Sequence, residues 1–289
     1  MRQRQLAAAV FGRESQLSAM STNDGSSAPV LSIVIPVFNE AITIGLILLQ
    51  VANALPAVLK QIIVVDDCST DGTSEWLRRN LGCTKRIWRC ISCDLNGELR
   101  LSAEDTQNNG FSFVVQYHER NRGKGAAVRT GLAHASGDVI VIQDADLEYD
   151  PNDWLRMLPL IVERKVADVV YGSRFYGQPH RALYYHHYLG NRLISLVFNM
   201  MYNQMLSDIE VCYKMFSSDV LKQLRLTAND FGIEIEISAQ IARAKRWRIY
   251  EVGISYYGRT YEEGKKINWK DGLKALLYLL KFRFSGRSR

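Results

Sequence analysis

The chain of 289 residues contains no run of 18 apolar residues, about the length a helix needs to cross a bilayer core. The nearest candidate, Ile42 to Leu59, is interrupted by Gln50, Asn53 and Pro56, so it reads as a core helix. At the amino end, Leu6 to Phe11 is too short for the apolar region of a signal peptide. Five cysteines are few and odd in number, which argues against a disulfide framework and for a reducing compartment. Cys90-x-x-Cys93 is half a zinc site at most, because no second Cys/His pair follows at the usual spacing. Two nucleotide-binding signatures are missing as well. No Gly-x-Gly-x-x-Gly follows a strand, and no Gly-x-x-x-x-Gly-Lys-Ser/Thr occurs. Acidic residues are scarce toward the carboxyl end, where residues 241–289 carry 13 Lys/Arg against 4 Asp/Glu. That surplus suits anionic lipid, a phosphorylated ligand or nucleic acid, or plain solubility.

With 47% hydrophobic residues and a formal charge of +6, the chain can bury a sizeable core, in one large domain or two small ones. Residues 1–29 are polar and expected to form a disordered tail, with Met20 as an alternative natural start. Leu31-Ser-Ile-Val-Ile-Pro36 reads as a strand ending at its proline. A second strand, Ile62 to Val65, runs into Asp66-Asp67. A helix lies between them, and another follows, with Asp71 as N-cap for Thr73 to Arg79. Strand, helix, strand, helix opens a parallel sheet. Residues 83–112 break the rhythm, and Asn96-Gly97 within them signals an inserted hairpin. The pattern resumes with a strand at Phe113 to Val115, a helix from about Ala126 to Ala135, and strands at Val139 to Ile142 and Val166 to Tyr171.

The strand Val139 to Ile142 ends in Asp144-Ala145-Asp146-Leu147-Glu148, and in open α/β sheets ligands bind where strands stop. Two residues apart on extended backbone, Asp144 and Asp146 are expected to point the same way. Their like charges then favour a hard divalent cation between them; a solvated acidic turn is the plain alternative. Gly123 and Gly125 flank Lys124 at a helix N-terminus, where backbone N–H groups can approach a phosphate. A helix-capping glycine turn explains the same residues.

Taken in order, Ser-Ile-Val-Ile-Pro-Val-Phe-Asn-Glu (32–40), Val-Val-Asp-Asp-Cys-Ser-Thr-Asp-Gly-Thr (64–73), Asn-Arg-Gly-Lys-Gly (121–125) and Asp-Ala-Asp (144–146) resemble the family 2 inverting glycosyltransferases of GT-A fold. Gly-Ser-Arg-Phe (172–175), Ser207 to Lys214 and Tyr261 to Lys266 are similar to the polyprenyl-phosphate branch, which includes dolichyl-phosphate mannose and glucose synthases. The resemblance covers roughly 30–82 and 113–285, and nothing familial carries onto 83–112. It implies an α/β fold with a mixed, mostly parallel sheet flanked by helices over 30–262, followed by a basic amphipathic segment at 263–289. It also implies a nucleotide-sugar donor held by Pro36, Glu40, Asp66, Asp67, Lys124, Asp144 and Ala145. Asp66 and Asp67 would accept hydrogen bonds from base or ribose. Asp146, with Asp144 and Glu148 assisting, would ligate Mg²⁺ or Mn²⁺ at the diphosphate.

The acceptor decides what else is needed. A sugar hydroxyl requires a positioned base, whereas a phosphomonoester, mostly dianionic at neutral pH, requires cations. Arg174, Arg192 and Arg259 match positions at which the resembled synthases hold phosphates, with Lys265 and Lys266 beside them; Asp208 and Glu210 stand where hydroxyl-using relatives keep their base. Leu189, Leu193, Ile194, Val197, Phe198 and Met201 recur at helical spacing. So do Leu273, Leu276, Leu277, Leu280 and Phe284, opposite Lys270, Lys274 and Lys281. The second stripe suits a membrane surface, or a helix docked on the domain. The leading expectation is transfer of a hexose, glucose or mannose, from a UDP- or GDP-sugar to a polyprenyl phosphate, peripherally on the cytoplasmic membrane face and without a nucleic-acid partner. The rivals are a soluble family 2 transferase acting on a hydroxyl, and a nucleotide-sugar-binding protein without turnover. A sugar nucleotidyltransferase is disfavoured, because its Gly-rich N-terminal loop is missing.

Overall fold

Six of the eight side chains of β1 (Val30–Val37) are buried, as a central strand covered on both faces by helices requires. The computed structural model describes residues 30–82, 87–93, 99–102, 110–182, 184–260, 262–263 and 269–284. After β1 come α1 (Ile44–Asn53), β2 (Leu59–Asp66), α2 (Thr73–Leu81), β3 (Cys90–Cys93), β4 (Leu99–Ser102) and β5 (Phe111–Tyr117). Next are α3 (Lys124–His134), β6 (Val139–Ile142), a 3₁₀ turn at Pro151–Asp153, α4 (Trp154–Val162), β7 (Val169–Ser173) and α5 (Tyr185–Tyr202). The chain continues through β8 (Lys214–Ser217), the single turn α6 (Ser218–Leu221), α7 (Gly232–Ala244), β9 (Ile249–Gly253) and α8 (Trp269–Phe284).

Seven strands form one sheet in the order β5-β2-β1-β6-β8-β7-β9, in which only β8 runs antiparallel to its neighbours. The β-branched runs Ile62 to Val65 and Val139 to Ile142 fill its centre. From β1 the chain winds outward to β2 and β5, then returns to place β6 on the other side of β1. The loops leaving β1 and β6 therefore diverge at a topological switch point, where such sheets bind ligands. Those loops carry Glu40 and Asp144 to Glu148. β3 and β4 pair antiparallel outside the main sheet, within the segment expected to be a hairpin. The tail at 1–29 lies outside the described residues, as do Lys265 and Lys266. Among the described residues, no helix is long and apolar enough to cross a membrane.

Several local expectations need correction. Pro36 does not end β1, which continues to Val37. β6 pairs with β1 only as far as Val34, so proline's missing N–H at position 36 costs no ladder bond. The helix expected to reach Leu59 stops at Asn53. Leu55 turns the backbone at φ 49°, and the buried Lys60 donates through Nζ to the carbonyls of Ala54 (2.7 Å) and Leu55 (3.1 Å). Gly72, at φ 98°, holds the N-cap position of α2; Asp71 one residue earlier still accepts the Thr73 N–H at 3.1 Å. β5 begins at Phe111, so the last two residues of the expected insertion belong to the main sheet.

The apolar stripes also divide differently. On α5, Ile194 and Phe198 face the core, whereas Leu189, Leu193, Leu196 and Met200 face outward. On α8, which packs against α7 and α5, Ala275, Leu279 and Phe282 face inward. Leu273, Leu277, Leu280 and Phe284 stay exposed.

Candidate active site

Past Ile142 the chain does not remain extended. Ala145 and Asp146 form a turn, Leu147 takes φ 62°, and Asp146 Oδ1 accepts the Glu148 N–H at 3.1 Å. The expected same-side geometry of a strand end is thus replaced by a turn, yet the carboxylates remain electrostatic neighbours. Burial, then the charges of Asp144 and Glu148, push the Asp146 carboxyl up to about 7 against the opposing pull of Arg259. Lys124 at the start of α3 pairs with Asp144 at 2.8 Å and with Glu234 of α7 at 3.3 Å. Glu234 in turn pairs with the buried Lys214 at 2.7 Å. Ala145 is buried between the two aspartates.

Arg259 crosses this acidic loop from the segment after β9. Its backbone N–H donates to Glu148 Oε1 at 2.8 Å, and Nη2 lies 3.1 Å from Asp146 Oδ2. The same guanidinium reaches Glu40 at 3.3 and 3.4 Å. Glu40 follows β1, and its Oε2 also accepts the Thr43 hydroxyl at 2.8 Å. Three carboxylates from two loops therefore share one cation.

Asp66 and Asp67 are turned inward. Asp67 accepts hydrogen bonds from the Arg122 N–H (2.9 Å) and Gly123 N–H (2.7 Å) and contacts His118 Nδ1 at 2.6 Å, while His118 Nε2 meets Thr130 Oγ1 at 3.0 Å. Asp66 accepts from Ser74 Oγ and from the Ser69 N–H. Both carboxylates are buried and hold the loops around them. The N–H groups of 122 and 123 are correspondingly occupied by Asp67. A Cβ on Gly125 would lie 2.5 Å from the Ala228 carbonyl oxygen and one on Gly123 2.3 Å from that of Asn229. Close approach of the 228–230 backbone accounts for these glycines.

The cationic side lies after β7. Arg174 grips the fully buried Asp208 through Nε (2.6 Å) and Nη2 (2.7 Å). Glu251 of β9 fixes that loop by accepting from the Ser207 N–H and hydroxyl, both at 2.9 Å. Arg192 of α5 donates to the Ser207 carbonyl, and both guanidiniums lie within 6 Å of the Phe175 ring. Tyr256 joins the two sides: its hydroxyl donates to Glu148 at 3.0 Å, and Arg174 lies 5.5 Å from its ring centre. The sequence singled out Arg174, Arg192 and Arg259 but not Tyr256, Lys214, Glu234 or Glu251; Tyr256 lies three residues past the end of β9, on the side of the sheet where ligand groups collect. Glu210 is half-buried. Burial, with Asp208 as a like charge, pushes its carboxyl up to about 7 against the pull of Arg174.

The acidic loop fits a divalent cation. Asp144, Asp146 and Glu148 offer hard oxygen donors, and Asp146 and Glu148 already share the positive charge of Arg259. Among the described residues no three His, Cys, Asp or Glu side chains form a complete metal cage. Mg²⁺ needs none, since it usually takes one or two carboxylates and completes its shell with water and phosphate oxygens.

A carboxylate loop at the switch point of a mostly parallel sheet, with cations across from it, defines a GT-A type nucleotide-sugar transferase fold. The chain belongs to glycosyl transferase family 2, whose model matches residues 32–91 and 93–225. It is 28% identical over 228 residues to the glycosyltransferase AglJ of Haloferax volcanii, covering 78% of this chain and 63% of that one. It is 30% identical over 155 residues to the dodecaprenyl-phosphate galacturonate synthase of Rhizobium johnstonii (53% and 38% covered). With the dolichol-phosphate mannosyltransferase of Pyrococcus furiosus it shares 29% over 149 residues (50% and 33%). The chain thus spans between about one third and two thirds of these relatives' lengths. Glucosyl-3-phosphoglycerate synthase of Mycobacterium tuberculosis, solved with Mn²⁺, UDP and phosphoglyceric acid, shares the fold at TM-score 0.61 and 18% identity, over 89% of this chain and 79% of that one.

Proposed function

We propose that the protein transfers a hexose from a UDP- or GDP-sugar to a polyprenyl phosphate, with inversion at the anomeric carbon, as a peripheral protein on the cytoplasmic membrane face. The observation that carries this reading is the row Arg192, Phe175, Arg174, Tyr256 and Glu148, which sets cations for a phosphate acceptor beside the carboxylates of Glu40, Asp146 and Glu148. Two relatives act, by their names, on dodecaprenyl and dolichol phosphates, which supports the same acceptor class.

Asp146, assisted by Asp144 and Glu148, would hold Mg²⁺ or Mn²⁺ at the donor diphosphate. Such a cation is a Lewis acid that stabilises the charge gathering on the leaving diphosphate. Glu40 and Pro36 line the loop side of β1 on which base and ribose would lie. Lys124, kept protonated by Asp144, brings a second positive charge toward the phosphates. Arg174 and Arg192 orient the acceptor phosphate, whose ionised oxygen attacks without giving up a proton. Arginine suits this task because its planar fork grips two phosphate oxygens at once. The exposed stripes of α5 and α8 give the apolar surface a lipid acceptor needs.

Glu210 favours a second reading. A carboxyl held near 7 is tuned for a general base, so transfer to a hydroxyl is the alternative. Turnover of several nucleotide-sugars with a short-chain polyprenyl phosphate and with the matching free polyprenol separates the two. The phosphate should be used and the alcohol not; comparable rates with the alcohol refute the proposed acceptor.

A further inference from the structure

Away from the catalytic loops, the carboxyl-terminal ends of α5 and α7, the start of β9 and the last turn of α8 frame a half-open cavity of about 550 Å³. It lies at the amino edge of the sheet, because β9 enters there parallel to β7, and Arg174 follows the opposite end of β7. Met200, Tyr202, Arg243, Lys245, Trp247 and Arg283 are among its lining residues. That lining holds three cations and no carboxylate. The Tyr202 hydroxyl is buried there without a hydrogen-bond partner, and Arg283 lies 5.5 Å from its ring centre.

Capping of helix ends explains part of this charge. Arg243 Nη1 donates to the Phe282 carbonyl at 3.2 Å. Three helix C-termini meet near the cavity, and at about half a negative charge each they offset roughly 1.5 of the three positive charges. Lys245, Arg283 and an unsatisfied donor remain. Together they call for an anion with oxygen acceptors, and a volume of this size accommodates a small organic headgroup.

The neighbouring surface says what carries that anion. α5 exposes Leu189, Leu193, Leu196 and Met200, ending at the cavity. α8 exposes Leu273, Leu277, Leu280 and Phe284, ending beside Arg283. Both stripes follow the same spacing on two helices packed against each other. We propose that this cavity binds the phosphate headgroup of an anionic phospholipid, its acyl chains lying along the two stripes. α5, which carries Arg192 nearer its amino end and reaches the cavity at its carboxyl end, thereby lies along the bilayer surface with α8. This rests on the reading of the chain as a membrane-docking transferase.

Sedimentation of the full chain with phosphatidylcholine vesicles, with and without phosphatidylglycerol, tests it. Lys245 has φ 54°, which asparagine tolerates, so Lys245→Asn with Arg283→Gln removes two charges with little strain. This double variant should lose phosphatidylglycerol-dependent binding by about tenfold or more and keep its binding to phosphatidylcholine alone. Tyr202→Phe, which keeps the ring packing, should weaken the same component about tenfold or more, as loss of one hydrogen bond to a charged group implies. Equal binding of all three proteins to phosphatidylglycerol vesicles overturns the site. So does inorganic phosphate displacing the protein from these vesicles at micromolar level, which marks a free-anion site, or a dimer that the double variant dissolves, which marks a self-interface. Transfer to short-chain polyprenyl phosphate in detergent is measured alongside. If it is absent while charge-dependent binding persists, the transferase reading fails and the headgroup site stands.

Discussion

Glu210→Gln probes the acceptor chemistry and the electrostatics of the site together. The Glu210 carboxyl, ordinarily near 4.5, is held at about 7 by burial and by Asp208. At 1.36 kcal/mol per pH unit this is a charging cost of about 3 kcal/mol, which solvent contact at a half-buried side chain reduces to about 2 kcal/mol. The folded state binds the proton more tightly than the unfolded chain. Stability therefore falls as pH rises from 4.5 toward 7; the cost is complete above 7 and absent below 4.5. Glutamine has the same shape without the charge. At about pH 8 the variant should melt ~4 °C or more above the parent, and at about pH 4 the two should coincide, by differential scanning calorimetry. Its kcat with polyprenyl phosphate should stay within about threefold of the parent, because a dianionic nucleophile has no proton to lose. A hydroxyl acceptor would instead cost on the order of 10²–10⁴-fold. Loss of that size with polyprenyl phosphate refutes the acceptor argument, and a lower melting temperature at high pH refutes the electrostatic one.

Chelation with EDTA should abolish transfer and added Mg²⁺ or Mn²⁺ restore it, while Asp146→Asn should cost about 10²-fold or more; full activity of that variant in EDTA ends the metal reading. Burial pushes the Lys60 ammonium down to about 7 from 10.5, so the fold binds fewer protons than the unfolded chain and gains stability as pH rises between those values. Urea unfolding at about pH 7 and about pH 9 should show that gain in the parent and not in Lys60→Met; equal slopes contradict the assignment. Gly125→Ala places a methyl 2.5 Å from the Ala228 carbonyl oxygen and should destabilise by about 1–3 kcal/mol in thermal melts, whereas an unchanged melting temperature removes the packing explanation.

The central strands were legible because burial on both faces selects β-branched runs, as in Val139 to Ile142. The segment Ile233-Glu-Ile-Glu-Ile237 shows why such reading has bounds. It alternates apolar and charged residues as a strand would, yet it lies in α7 with all five side chains buried. Its glutamates are compensated from elsewhere: Glu234 by Lys124 and Lys214, Glu236 by N–H groups of Thr227 and Ala228. Asp67 carries the same lesson. A carboxylate after a strand reads as a ligand group, but its partners His118, Arg122 and Gly123 lie more than fifty residues downstream. The acidic loop could be read as local sequence, whereas the arginine across it could not be paired, since Arg259 reaches Asp146 over 113 residues and Glu40 over 219.

Those long-range pairings divide the arginines by what they are able to do. Arg174 is bound to Asp208 at 2.6 and 2.7 Å, through Nε and Nη2, with the carboxylate fully buried and the guanidinium partly exposed. Separating that pair would leave an uncompensated buried carboxylate, a loss of about 3–5 kcal/mol. A phosphate worth about 1.5–3 kcal/mol per charged hydrogen bond does not outbid it with one contact. Arg174 must therefore meet a phosphate with its remaining N–H groups while keeping Asp208, as a fixed anchor. Arg259 stands differently. Its side-chain contacts to Glu40, Asp146 and Glu148 span 3.1 to 3.5 Å and are partly open to solvent, each individually weak. Asp146 and Glu148 would hold the divalent cation, whose charge would replace part of what Arg259 supplies to them. The guanidinium would then be available to a phosphate, with Glu40 keeping its Thr43 hydroxyl. On the proposed reading, donor and cation would therefore bind before the acceptor phosphate, which Arg174 and Arg192 would orient and Arg259 would then join.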